Sequence, residues 1–232
     1  MISNEKRNFR LPRVWSNQIL QSVAPIFSGD VVNVSGWDDR DKEGNHYRSY
    51  FSNANNYFLS NYVGERGAAD ASQMTDFLID LSLPVSAEFI ERFDVVYNHT
   101  TLEHIFEIDI AFRNLCTMSR DIVIVVVPFA QEVHFNPSYG DYWRFTPMGL
   151  RKLYEKNGLE VIFEAANHHI NAGIYLLFVG SKYPDKWSSK IPKWKPISDL
   201  GNWIGRSDKK VPLLNALKKI LNRSPETIAE LG

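Results

Sequence analysis

Cysteine is nearly absent from this chain: its 232 residues hold one, Cys116. A single thiol forms no internal disulfide, so stability has to come from a packed core, and a reducing compartment is expected. Long apolar runs are missing too, and none approaches the ~20 residues that a membrane-spanning helix requires. The opening residues, MISNEKRNFRLPR, hold no apolar stretch of the kind that secretory leaders carry. These absences set the expectation of a cytoplasmic protein. No internal repeat is found.

What is present is ordinary in amount and uneven in placement. Hydrophobic residues make up 44% of the chain and charged residues 23%, as in soluble globular proteins, and the length suits one α/β domain with an appendage. A net charge of −1 conceals a division: residues 182–232 carry eleven Lys/Arg against five Asp/Glu, while 1–181 carry fifteen against twenty-two. This suggests a mildly acidic domain over 1–181 and a basic tail over 182–232. In the tail, Trp187, Trp194 and Trp203 recur among lysines and prolines. Over 211–222, Leu213, Leu214, Leu217, Ile220 and Leu221 fall on one helical side. Such a helix docks on an anionic membrane surface, in a partner's groove or on the chain's own core. The first option would put the protein at the periphery of the inner membrane, and a homodimer is also open.

Strand and helix patterns alternate along the first 181 residues. Pro12 suits a first helical turn, with Val14, Ile19, Val23 and Phe27 on one face and an end near Gly29. Val31–Val34 reads as a buried strand, residues 38–56 as non-helical, Tyr57–Leu59 as a second strand, and Phe77, Ile79 and Leu81 as an alternating third. Phe93–Tyr97 is a fourth strand, followed by a helical pattern from Leu102 to Leu115. Ile122–Val127 is a β-branched run suited to a central strand covered on both faces. Thr146-Pro147 starts a helix that Gly158 closes, and Leu159–Ala165 and Ile174–Val179 end the domain as an antiparallel hairpin. The expected fold is α/β, a seven-stranded, mostly parallel sheet with an antiparallel last strand and helices on both faces.

Three stretches carry a resemblance. FDVVYNHTTLEHI (Phe93 to Ile105), IVIVVVPF, and DYWRFTPMGLRKLYEKNGLEV resemble, in this order and spacing, the Rossmann-like S-adenosylmethionine-dependent methyltransferases. The last is similar to members from polysaccharide-biosynthesis clusters. The resemblance spans about residues 20–180 and implies S-adenosylmethionine as cofactor. It departs at DVVNVSGWDDRDKEGNHY, where the family has an acid and then G-x-G-x-G. Asn33 takes the acid position, Ser35, Trp37 and Asp39 take the glycine positions, and Gly36 lies among them. The second-strand acid that bonds ribose hydroxyls falls near Asn61, whereas Asp80 keeps the acid of the adenine site. His99-Thr100-Thr101 stands where base-methylating enzymes carry N-P-P-Y, so nucleic acid is not the expected substrate.

Catalytic candidates are Glu103 and His104, after the fourth strand, and His134 and Asp141, in the loop after the fifth. A histidine exchanges a proton near neutral pH, and a carboxylate serves as a base. Tyr142, Trp143 and Arg144 suit a carbohydrate acceptor, the rings for its C–H face and the charge for its hydroxyls. An Asp141–Arg144 ion pair with Trp143 in the core is the structural alternative. No metal is assigned: Asp39-x-Asp41-x-Glu43-Gly44 imitates the start of a calcium loop, but its twelfth position is Tyr50. Three functions stay open. They are O-methylation of a glycan sugar, a scaffold that has lost the cofactor, and another carbohydrate chemistry on the same fold.

Overall fold

The structure, a computed structural model, describes residues 4–62, 75–135, 137, 139–167 and 172–197, with side chains from residue 10 onward. Helix α1 (Asn4–Val23) leads into strand β1 (Gly29–Val34), followed by β2 (Ala54–Asn61), β3 (Phe77–Leu78) and β4 (Phe93–His99). Helix α2 (Ile108–Met118), β5 (Ser119–Ala130), α3 (Pro147–Lys156), β6 (Glu160–Ala166) and β7 (Ile174–Ser181) complete it. The seven strands lie in the order β3-β2-β1-β4-β5-β7-β6. Every neighbouring pair is parallel except those that β7 makes with β5 and β6. The expected topology is therefore present, with β5 beside the middle strand β4.

The β-branched run divides its side chains between two cores. Val123, Val125 and Val127 pack with Phe112 and Leu115 of α2 and Leu150 and Tyr154 of α3. Ile122, Ile124 and Val126 face the other way, toward Leu20, Val23, Ala24 and Phe27 at the end of α1. This period of two, apolar on both sides, makes β5 an interior strand. Thr146 caps α3, its hydroxyl accepting from the Gly149 amide at 3.0 Å, and Gly158 follows the helix with φ of +76°.

Several boundaries differ from the sequence reading. α1 starts well before Pro12, which sits inside it and leaves one carbonyl of the previous turn without its helical donor. The pattern after β4 breaks into a 3-10 turn, Leu102–His104, and the separate helix α2, so Glu103 and His104 do not open a long helix. β3 is two residues long. Residues 47–50 form a 3-10 turn within the stretch expected to be irregular.

The tail does not separate from the domain at 181. Trp187 is buried edge-on against Phe27, ring centroids 4.9 Å apart, and its indole N–H donates to Asp121 at 3.1 Å. Trp194 packs near Phe163, and the Ile197 amide donates to Glu164 at 2.5 Å. These contacts make residues 183–197 part of the body. Trp203 and the helix expected over 211–222 lie outside the described residues. No helix among the described residues is long and apolar enough to cross a membrane. Trp187→Ala is expected to lower the free energy of unfolding by about 3 kcal/mol. A urea midpoint unchanged from wild type would show that the contact is dispensable.

Candidate active site

The parallel strands β1, β2, β4 and β5 end at the same edge, and the candidate residues gather on the loops there. After β1, Ser35, Trp37 and Asp39 have φ of +55°, +52° and +61°. These are the three positions at which the resembling pattern has glycine, so the chain keeps a glycine-type backbone without glycines. Each left-handed L-residue costs about 1 kcal/mol, which local bonds must offset. Asn61 accepts from the Trp37 amide at 2.7 Å and donates to the Trp37 carbonyl at 2.9 Å. The buried Asp39 carboxylate accepts from Asn33 (2.9 Å), the Tyr57 hydroxyl (2.6 Å) and the Arg48 amide (3.0 Å). Gly36 is required for space, since a Cβ there would lie 2.4 Å from Asn33 Nδ2. Trp37 itself is 48% exposed.

The remaining acids of this loop are also engaged. Asp41 accepts from Tyr50 (2.6 Å), Asn45 (3.1 Å) and the Glu43 amide (2.7 Å), while Glu43 accepts from Asn17 (2.9 Å). The calcium-like spelling thus describes a loop braced by its own carboxylates. Asp80 accepts from the amide and hydroxyl of Ser82 at 2.8 and 2.6 Å in the turn after β3. His99 is buried among Tyr47, Tyr97 and Tyr175, with Nε2 3.0 Å from the Ser16 hydroxyl and Nδ1 3.0 Å from that of Thr100. Burial holds its pKa well below the ordinary histidine range, with the Arg13 charge acting in the same sense.

The second group forms around the ends of β4 and β5. Thr100, a β-branched residue with φ of +50°, turns the chain into the 3-10 segment that carries Glu103 and His104. The Glu103 carbonyl accepts from the amides of Tyr142 and Trp143 at 2.8 and 3.2 Å, fastening the loop after β5 across the edge. Asp141 is held by both terminal nitrogens of Arg144 at 2.6 and 2.7 Å and accepts from the His134 amide at 2.8 Å. This stitching sets the His134 ring on that of His104, centroids 4.9 Å apart, with Tyr139 4.6 Å from His104. Glu103, His104 and His134 each offer a ligand-type atom within 4.8 Å of the others.

The electrostatics separate the roles. Glu103 is 1% exposed, and neither carboxylate oxygen has a hydrogen-bond partner among the described residues. Burial pushes its pKa up to about 8. His104 is shifted down by burial, against the opposing effect of the Gly140 carbonyl 2.6 Å from Nδ1. Asp141 goes the other way, held down to about 2 by the Arg144 guanidinium, and so is an anion that positions rather than a proton acceptor. Arg144 also donates to the carbonyls of Trp143 (2.8 Å) and Glu132 (3.2 Å), which commits it to bracing the loop. The Trp143 indole donates to the Ile105 carbonyl at 3.0 Å and packs on the core. Tyr142 is 52% exposed beside Phe106, 63% exposed, and these two offer ring faces to a ligand.

Sequence reasoning missed Arg13, Tyr139 and Phe106. Arg13 reaches from α1 to the Thr100 hydroxyl at 3.3 Å, close to the edge loops but remote from them in sequence and within no motif. His168 and His169 lie outside the described residues.

No protein-family model matches the chain, and no curated protein does. Solved structures do. A candidate methyltransferase of Bacillus halodurans C-125 matches at 11% identity and a TM-score of 0.51, covering 71% of this chain and 97% of that one. The fold is that of the Rossmann-like methyltransferases. A candidate methyltransferase of Haloferax volcanii, in complex with the Trm112 methyltransferase activator, matches at 13% identity and a TM-score of 0.52, covering 72% and 88%. Magnesium protoporphyrin IX methyltransferase of Synechocystis PCC 6803, with bound S-adenosylmethionine, matches at 13% identity and a TM-score of 0.51, covering 73% and 80%. At these identities the likeness is one of fold.

The Glu103 carboxyl makes a measurable prediction in chelator-treated protein. Its folded pKa is raised from 4.5 to about 8, so the stability due to its neutral form is complete below 4.5 and lost as pH rises through 8. Wild type should therefore lose stability relative to Glu103→Gln between pH 5 and 8, at about 1.4 kcal/mol per pH unit. Urea melts of both proteins at three pH values check this, and a constant difference would contradict it.

Proposed function

We propose that the protein transfers a methyl group from S-adenosylmethionine to a hydroxyl of a sugar in a cell-surface glycan or its precursor. The observation that carries this reading is the convergence of Glu103, His104 and His134 at the carboxyl edge, where open α/β sheets hold their ligands. The exposed rings of Tyr142 and Phe106, on the same two segments and 5.5 Å apart, suit the C–H face of a sugar. The fold and the resemblance favour the cofactor, and the left-handed φ values at Ser35, Trp37 and Asp39 favour a backbone cradle for it. Within that cradle the main chain of 35–39, with Asn33 and Gly36, would approach the cofactor, Asn61 would face its ribose, and Asp80 its base. S-adenosylmethionine supplies an electrophilic methyl group on a sulfonium sulfur. The chain's own contribution is to seat the acceptor against Tyr142 and Phe106 and to take up the hydroxyl proton in the Glu103–His104–His134 cluster. His104, neutral at pH 7 through burial, suits that step.

A second reading, a scaffold that binds no cofactor, is favoured by one observation: both ends of the Asn61 amide are engaged by the Trp37 peptide. Calorimetric titration with S-adenosylmethionine and S-adenosylhomocysteine separates the two. The enzyme reading expects a Kd below about 1 mM, weaker than a carboxylate at Asn61 would give, and tightened by Trp37→Gly. No heat at millimolar cofactor would support the scaffold. If methyl transfer to sugar acceptors is detected, His104→Ala and His134→Ala should each lower turnover about 100-fold with little change in melting temperature. Full activity in both would move the site elsewhere.

The tail beyond 197 is proposed to dock on an anionic membrane surface or a protein partner. Truncation after Ile197, which keeps Trp187 and Trp194, should leave a folded protein that no longer pellets with phosphatidylserine vesicles or its partner. Aggregation of the truncated chain would instead assign the tail to the core.

A further inference from the structure

A buried carboxylate with no hydrogen-bond partner among the described residues and two imidazoles converging on it form a ligand set as well as a proton-transfer site. We propose that Glu103, His104 and His134 bind a divalent first-row transition cation, Zn²⁺ or Mn²⁺. Two histidines and one carboxylate leave coordination positions open, as in sites where a cation meets a substrate. The three donors lie within 4.8 Å of one another. Bonds of about 2.0–2.2 Å would draw them to about 3.5 Å apart, which side-chain rotation allows. The two ring nitrogens favour these ions over magnesium or calcium, which prefer all-oxygen shells.

The groups behind the ligands fit the same reading. His104 Nδ1 faces the Gly140 carbonyl at 2.6 Å, which places its proton on Nδ1 and directs the lone pair of Nε2 outward. Nε2 is the nitrogen 3.9 Å from Glu103 Oε1. His134 Nδ1 faces the Glu132 carbonyl at 3.3 Å and Asp141 Oδ2 at 3.5 Å, which favours the same tautomer. A carbonyl or carboxylate behind each ligating imidazole is how metal sites fix ring orientation and basicity. Arg144 fastens Asp141 in that position and is itself neutralised by it. The unpartnered Glu103 oxygens then have a purpose: a cation supplies the partner that the protein omits. On the methyl-transfer reading, on which the ion's role but not its binding rests, an acceptor hydroxyl bound to the cation loses its proton more readily.

The test uses the full chain, stripped with chelator, with metal as the sole probe and neither cofactor nor acceptor present. Titration with Mn²⁺ and with Zn²⁺ should show one site of micromolar or tighter affinity and a rise in melting temperature. His104→Ala, His134→Ala and Glu103→Gln should each weaken it at least tenfold, and Asp141→Asn by about 10–100-fold. His46→Ala, an exposed histidine near Asp39, should leave it unchanged. No binding by either ion, or binding that survives in the His104→Ala/His134→Ala double variant, would overturn the proposal. Because no methyl donor is present, failure here leaves the methyltransferase reading standing, and failure of cofactor binding leaves the metal site standing.

Discussion

Glu103 is buried with no partner for either carboxyl oxygen among the described residues, and taking such a group out of water costs several kcal/mol. Much of the carboxyl edge is organised about this residue. Its main-chain carbonyl receives two amides from the loop after β5, so the group that costs most is also the peg that holds the loop down. The Asp141–Arg144 pair then locks the loop's return and sets His134 over His104. Both histidines are positioned through Nδ1, and the ring of Tyr139 borders them. A core residue with this cost would be replaced by an apolar one at little loss. Its presence next to two oriented imidazoles is the observation on which the proposed site rests.

The loop after β1 shows a different economy. Left-handed backbone at Ser35, Trp37 and Asp39 is costly for L-residues, yet the chain adopts it and braces it with Asn61, Asn33 and Asp39. Left-handed backbone at these three positions is thus held by side-chain hydrogen bonds instead of by glycine. The consequence is competition, because the amide that would bond a ribose is bonded to the Trp37 peptide. A cofactor entering this loop would have to exchange with those bonds, which would lower its affinity.

The sheet was legible because its signals are local and redundant. The run at Ile122–Val127 faces apolar helices on both sides, and the Thr146-Pro147 cap and the short link between β6 and β7 leave few alternatives. Convergence of His104 with the loop carrying His134 followed from both segments leaving neighbouring strands at one edge. What escaped was set by tertiary contact. Pro12 was read as a helix start, whereas packing extends the helix on both sides of it. Trp187 was read with the tail, though Asp121 and Phe27 bury it in the body. Arg13 joins the edge from the middle of α1, a distance in sequence that no spacing argument spans. That Ser35, Trp37 and Asp39 take left-handed backbone at the glycine positions is likewise visible only in the structure.

The most direct measurement is a crystal structure of the full chain soaked with Mn²⁺, read from the anomalous difference map. The account predicts one strong peak about 2.0–2.3 Å from Glu103, His104 and His134, with Asp141 behind His134 and the Tyr139 ring at its border. A peak elsewhere, or none at those three residues, would contradict the claim that Glu103, His104 and His134 form a cation site.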